Sequence, residues 1–194
     1  MPKLNQIEQI IEACRKGDEK AQLHIFREYG NMALRLAWRY VSNEDDAREV
    51  MQLSMIKVFE HIKDFKGQSE LKTWISRIVI NQSLNFLRNQ KKFAFHVSLS
   101  PAIAEETEDI YVDDEIKPSD ILEAFKLLQS LPELHRLVFN LFVMDGMSHQ
   151  EIGKMLGMTE ANSRQVLMRA RKMLHRELSN KTMITKDEQQ KKYR

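Results

Sequence analysis

Between Ser148 and Arg171 the chain reads SHQEIGKMLGMTEANSRQVLMRAR, a stretch with the parts of a helix-turn-helix. Ser148 can cap a first helix, and Glu151, three residues on, completes a capping box. Ile152 and Leu156 supply the buried stripe of that helix. Gly153 allows close approach of the second helix, and Gly157 ends the first where the backbone needs a positive φ. Thr159 caps the second helix, whose Val166, Leu167 and Ala170 recur on one side. That leaves Asn162, Ser163, Arg164, Gln165, Arg169 and Arg171 to face outward. Arginine and glutamine read base edges in a major groove, while further arginine and serine hold phosphates. The chemistry expected here is duplex DNA binding. Two ordinarily packed amphipathic helices with a solvated basic face would share each of these features singly; their coincidence favours the DNA reading.

A second group lies in Phe65 to Lys92, FKGQSELKTWISRIVINQSLNFLRNQKK. One helix here combines Lys72, Arg77, Asn81, Asn85 and Arg88 with Trp74, behind a Gly67-Gln68-Ser69 turn. Cations and amides on a helix suit phosphate tracking and base-edge contacts, and a polar turn beside an aromatic ring can receive an unstacked base. Trp74 fits a core position as well as a stacking one, and the charges fit a solvated face. The preceding helix opens with Glu44, Asp45 and Asp46, continues through Arg48 and Glu49, and reaches Gln52. Acids in a first turn stabilise a helix N-terminus; they also suit docking of a basic partner. The residues alone do not choose between the two.

These groups need helices to position them, and the composition supplies helices. The 194 residues include 6 glycines and 4 prolines, with 42% hydrophobic residues, which favours packed cores built almost wholly from helix. No long segment alternates as a strand does. The class is all-α: two small helical domains joined by an acidic flexible linker. The first domain spans residues 5–92. In it Asp18 caps a helix with Ala21, Ile25 and Phe26 that Gly30 breaks, and another helix carries Leu34, Leu36, Ala37 and Tyr40. Ser42 or Asn43 starts a longer helix that buries Ala47, Val50, Met51, Met55, Val58, Phe59 and Ile62. The last helix, from about Glu70 to Asn89, carries Leu71, Trp74, Ile75, Ile78, Leu84 and Leu87.

Residues 93–118 form the linker, with Pro101 and Pro118 and weak periodicity. Residues 119–180 form the second domain, with a helix from Asp120, one from Glu133 and the helix-turn-helix. Residues 181–194 are a polar, frayed tail. The net charge of +2 hides an asymmetry. Glu105, Glu106, Glu108, Asp109, Asp113, Asp114, Glu115 and Asp120 cluster around a single base, Lys117, while bases dominate from Arg164 onward. Such separation suits a polyanionic partner for the basic part.

The order and spacing of EDDAREVMQ (Glu44 to Gln52), FKGQSELKTWISRIVINQSLNFLR (Phe65 to Arg88) and LPELHRLVFNLFVMDGMSHQEIGKMLGM (Leu131 to Met158) resemble the extracytoplasmic-function group of bacterial sigma factors in the sigma-70 family. That group keeps the second and fourth sigma regions and a linker. The resemblance covers about Ala21 to Leu178 and implies roles. Asp45, Asp46, Glu49 and Gln52 match the surface that docks on the clamp helices of the largest subunit of core RNA polymerase. Gly67 to Ser69 match the loop that captures a flipped base of the minus-ten element. The helix with Trp74, Arg77, Asn81, Asn85 and Arg88 matches the one that recognises and melts that element, and Glu160 to Arg171 match the reader of the minus-thirty-five element. The resemblance also implies promoter DNA and an anti-sigma factor as partners, and an acidic linker that threads into basic channels of the polymerase.

The chain departs from the family pattern in places. Leu53 and Met55 stand where an acid and a phenylalanine are usual, Ala161, Asn162 and Ser163 where Gly, Thr and a β-branched residue are usual, and Asn85 in place of a common aspartate.

Other classes fit less well. A free-standing helix-turn-helix regulator leaves the acidic helix, the Gly-Gln-Ser turn and the linker unexplained. A polymerase-binding adaptor that does not read DNA leaves the basic face unexplained. No enzyme, metal or cofactor is expected: His24, His61, His96, His135, His149 and His175 are scattered, without metal-ligand spacing, and neither a phosphate-cradling glycine loop nor a nucleophile elbow occurs. His149 is expected on the surface, and the single Cys14 is expected as a small buried hydrophobe. With neither a secretory leader nor an apolar run long enough to span a bilayer, the chain is expected to be cytoplasmic, without membrane insertion.

Overall fold

The computed structural model describes residues 3–41, 43–90 and 125–192, and side chains over 6–41, 43–90 and 125–179. Every element among them is helical, and the chain divides into two compact units, Met1–Ala94 and Phe95–Arg194. The acidic linker and the start of the helix expected at Asp120 lie outside the described residues.

The N-terminal unit holds α1 (Lys3–Arg15), α2 (Glu19–Tyr40), α3 (Glu44–His61), a 3-10 turn (Ile62–Asp64) and α4 (Leu71–Asn89). Asp18 accepts from the Ala21 N–H at 2.8 Å and starts α2; Asn43 accepts from the Asp46 N–H at 2.7 Å and starts α3. Each cap satisfies a backbone donor that the first helical turn leaves unpaired. The three longer helices pack on one another through Ile25, Ala33, Leu36, Ala37 and Tyr40 of α2, Ala47, Val50, Met55 and Val58 of α3, and Ile75, Val79, Ile80, Leu84 and Leu87 of α4, all buried. Ser54 and Ser83 are buried among them with their hydroxyls satisfied, each donating to the carbonyl four residues back, at 2.6 and 2.8 Å. Cys14 is buried, with burial and Asp18 holding its thiol above the usual range.

Three expectations are corrected here. Gly30 does not break a helix: α2 runs unbroken from Glu19 to Tyr40, because the buried stripe continues on both sides of it. Phe26 is 39% exposed rather than core. Met51 and Phe59 are half-buried, and Ser54 occupies the inner position between them.

A methyl group added at Gly30 would meet only the Phe26 ring, at 3.8 Å, an ordinary contact. Gly30→Ala is therefore expected to stabilise the N-terminal unit by about 0.5–1 kcal/mol, the usual gain of alanine over glycine inside a helix. Both tryptophans, Trp38 and Trp74, lie in this unit, so urea unfolding followed by tryptophan fluorescence reads it directly. A lowered midpoint would refute the expectation.

The C-terminal unit has helical residues 125–130, then α5 (Glu133–Phe139), which runs into a π turn (Asn140–Met144), then α6 (His149–Leu156) and α7 (Glu160–Lys192). Leu137, Val138, Leu141, Ile152, Leu156, Val166, Leu167 and Ala170 form its core. Helix α7 extends to Lys192, past residue 180 where the second domain is expected to end, since no glycine or proline follows to stop it.

Candidate nucleic-acid interface

In α4 the residues Arg77, Asn81, Asn85 and Arg88 are all exposed and follow one another at steps of four, four and three, which sets them in one row. Arg88 donates to Asn85 Oδ1 at 3.1 Å inside that row. Trp74 heads the same side but is half-buried, its ring 5.4 Å from that of buried Phe65 and tilted by 54°. It is thus both a partner of the core and the flat end of the row. Lys72 is exposed but about 140° around the helix from Arg77, so the structure does not bring it into the row.

The turn before α4 is held from below. Arg15 of α1 donates through Nη2 to the Phe65 carbonyl at 2.5 Å and through Nη1 to Glu12 at 3.1 Å. Gly67 then takes φ of 70°, a conformation an L side chain rarely adopts, and Gly67 and Gln68 project into solvent with Ser69 half-buried. Helix α1, which anchors this turn, is absent from the elements expected from sequence. Its signal was the spacing of Ile11 and Cys14 on one side.

The helix-turn-helix of the C-terminal unit forms as its caps dictate. Ser148 Oγ accepts from the Glu151 N–H at 3.3 Å, and Glu151 Oε2 accepts from the Ser148 N–H at 2.9 Å, closing the capping box. Gly157 ends α6 in the left-handed region. Thr159 Oγ1 accepts from the Asn162 N–H at 3.2 Å.

Along α7, Asn162, Gln165, Arg169 and Lys172 make one row at steps of three, four and three; Arg164 and Arg171, seven apart, make another. Arg164 is exposed and paired with Glu160. Asn162, Gln165, Arg169 and Arg171 are half-exposed. Lys172, exposed one heptad after Gln165, was missing from the sequence-based set, although its spacing places it there.

Ser163 does not face outward. It is fully buried and lies 2.8 Å from His149 Nδ1. His149, expected on the surface, is buried as well, its ring stacked on Phe142 with centroids 4.3 Å apart. The Ser163 hydroxyl and His149 Nδ1 satisfy each other inside the core.

The sigma-70 region 2 family model matches residues 25–93, and the sigma-70 region 4 model matches residues 121–174. The chain belongs to the extracytoplasmic-function group of the sigma-70 family. It is 27% identical over 180 residues to an ECF RNA polymerase sigma-E factor of Haemophilus influenzae, covering 87% of this chain and 93% of the relative. With the ECF RNA polymerase sigma-E factor of Escherichia coli K12 the identity is 28% over 173 residues, 85% of this chain and 90% of that one. The fold resembles that of the sigma factor RpoE in its co-crystal structure with the anti-sigma factor NepR from Bartonella quintana. That likeness has a TM-score of 0.51 and 18% identity, over 80% of this chain and 95% of that one. As a sigma factor, the chain is an RNA polymerase-binding subunit of transcription initiation.

In this sigma factor, Asp45, Glu49 and Gln52 are exposed on one side of α3, and the same side continues through Leu53 and Ile56, 41% and 53% exposed. Asp46 stands apart: it is half-buried, and its Oδ2 accepts from Asn43 Nδ2 at 2.9 Å, which ties it to the helix cap. Glu49 and Leu53 also line a shallow groove of about 340 Å³ with Gln82, Asn85, Phe86, Asn89 and Gln90. Asn85 therefore sits at the seam between the α3 face and the α4 row. Among the described residues no helix is long and apolar enough to cross a membrane, and no group of His, Cys, Asp and Glu side chains can hold a metal ion.

Two histidines of the C-terminal unit are held below their ordinary value of 6.5: His135 by burial and then by Arg169, His149 by burial and then by Arg164 and Arg171, against the opposing pull of Glu160. The folded state disfavours the imidazolium, so as pH falls the unfolded chain takes up protons first. The stability held above the unfolded value is lost as pH drops through 6.5 toward the lower folded values. The unfolding midpoint of this unit, followed by amide hydrogen exchange, is expected to fall between about pH 7 and about pH 5.5. His149→Phe removes part of that slope; an unchanged midpoint across the range would contradict it.

Proposed function

We propose that this sigma factor docks on core RNA polymerase through the outer side of α3, recognises and melts the minus-ten element with α4 and the turn before it, and grips the upstream duplex with α7. The observation that carries this reading is the exposed row Arg77, Asn81, Asn85 and Arg88 beside a held glycine turn, in a chain whose second unit presents a capped helix-turn-helix. Arg77, Arg88, Arg169, Arg171 and Lys172 supply phosphate contacts, so promoter affinity falls steeply with salt. The Gly67-Gln68-Ser69 turn captures an unstacked base, offsetting a few kcal/mol of unstacking. The acidic linker competes with DNA for basic surfaces until polymerase engages it. An anti-sigma factor restrains the free subunit in the cytoplasm; the solved RpoE–NepR complex supports a partner of that kind. The subunit carries no covalent chemistry of its own.

The test is binding to core polymerase in competition with another sigma factor, followed by promoter selection with the resulting holoenzyme. Saturable one-to-one binding and a defined promoter set support the reading; specific duplex binding by the free protein with no binding to core overturns it. Within such a holoenzyme, Arg164→Ala and Gln165→Ala are each expected to relax upstream base preference by about 1–3 kcal/mol per lost base contact. Promoter choice unchanged in both variants would remove α7 as the reader.

A further inference from the structure

One polar contact in the core of the C-terminal unit joins side chains fourteen residues apart in sequence. Ser163 lies in the first turns of α7, fully buried, with Oγ 2.8 Å from His149 Nδ1. The His149 ring lies flat on Phe142, with an interplanar angle of 19°. The bond and the stack thus tie three pieces together: the π turn, the start of α6 and the start of α7. The rest of the buried side of α7 is apolar, through Val166, Leu167 and Ala170. Apolar contacts set how closely a helix packs but tolerate rotation about its axis, whereas a hydrogen bond is directional.

We propose that the His149–Ser163 bond, braced by Phe142, is a positioning device that fixes the rotation of α7 and so selects which bases Arg164 and Gln165 reach. Ser163 is the residue directly before Arg164 and two before Gln165. A rotation of about 15° moves a side-chain tip about 6 Å from the axis by roughly 1.5 Å, beyond the tolerance of a two-point base contact. The hydroxyl can donate to a bare Nδ1 or accept from Nδ1–H, so the contact holds in either tautomer of the ring. Burial, and then Arg164 and Arg171, favour the neutral ring against the opposing pull of Glu160. His149 and Ser163 act through Arg164 and Gln165 and are not themselves readers.

This inference rests on the proposed reading of α7, and its test separates the two. Holoenzyme made with the full chain is presented with promoter duplexes randomised across the upstream element, and the bound fraction is sequenced. Ser163→Ala removes the hydroxyl with little change of volume; His149→Phe keeps a ring on Phe142 and removes the bond together with the titrating imidazole. In both, enrichment of the preferred base at the positions read by Arg164 and Gln165 is expected to fall about tenfold or to move to another base, with selection at the minus-ten element unchanged. A purely structural role would lower total recovery and keep the base profile of the parent. Wild-type profiles in both variants overturn the positioning role whatever their stability. Absence of any upstream preference in the parent holoenzyme overturns the reading of α7 and this inference with it.

Discussion

Exchanging Leu53 and Ile56 for aspartate is expected to weaken binding to core polymerase by about 2–4 kcal/mol, roughly 30- to 700-fold. Both side chains stand on the outer side of α3, 41% and 53% exposed, with Asp45, Glu49 and Gln52 on the same side of the helix. An apolar centre edged by charge is the arrangement in which a few side chains carry most of an interface's affinity. The charges act differently. Glu49→Lys reverses an exposed charge, so its main effects are expected in association rate and salt dependence. The aspartates instead place a charge where apolar area would be buried. Because neither Leu53 nor Ile56 is in the core, the substitutions should leave the fold intact, which tryptophan fluorescence of Trp38 and Trp74 checks. A doubly substituted, folded protein that still competes for core polymerase like the parent would move the docking surface elsewhere.

Leu53 and Ile56 also show where the sequence stopped being informative. Periodicity sorts apolar residues into a buried stripe, and α3 has one in Ala47, Val50, Met55 and Val58. An apolar residue beside that stripe looks like a widened core until the neighbouring helices are in place. In the sequence Leu53 stands out only as a departure from a family pattern, and Ile56 carries no signal at all. The opposite error occurred at Ser163 and His149. Both are polar, so pattern reading sends them to the surface, yet they are fourteen residues apart and satisfy each other in the core. A buried polar pair of that kind leaves no local signature.

Local chemistry, by contrast, was legible. The capping box at Ser148 and Glu151, the left-handed Gly157 and the Asp18 cap are decided within a few residues, by donors and acceptors that the sequence names. Gly30 failed as a local signal because a helix tolerates the roughly 1 kcal/mol cost of one glycine when packing on both sides exceeds it.

The same substitution that helps at Gly30 is expected to harm at Gly153. A methyl group built on Gly153 would lie 2.7 Å from the Met158 carbonyl oxygen and 3.6 Å from the Glu160 nitrogen. The close approach there is by the turn itself, at the entrance to α7, and the obstacle is backbone rather than a side chain that can swing away. The turn cannot yield easily: the Met158 N–H donates back to the Gly153 carbonyl at 3.0 Å, Gly157 holds φ at 69°, and Thr159 accepts from Asn162. Relieving the clash therefore shifts α7 as a whole. Overpacking of this kind costs about 1–3 kcal/mol, against which the helix-propensity gain of alanine returns at most about 1 kcal/mol. Gly153→Ala is expected to lower the stability of the C-terminal unit, read by amide exchange, while tryptophan fluorescence of the other unit stays unchanged. Upstream base preference of the holoenzyme should be lost together with that stability, because the turn sets the angle between α6 and α7. If Gly153→Ala protein were as stable as the parent and chose the same promoters, the turn would have to be looser than its hydrogen bonds indicate, and rigid placement of α7 would no longer explain how it reads DNA.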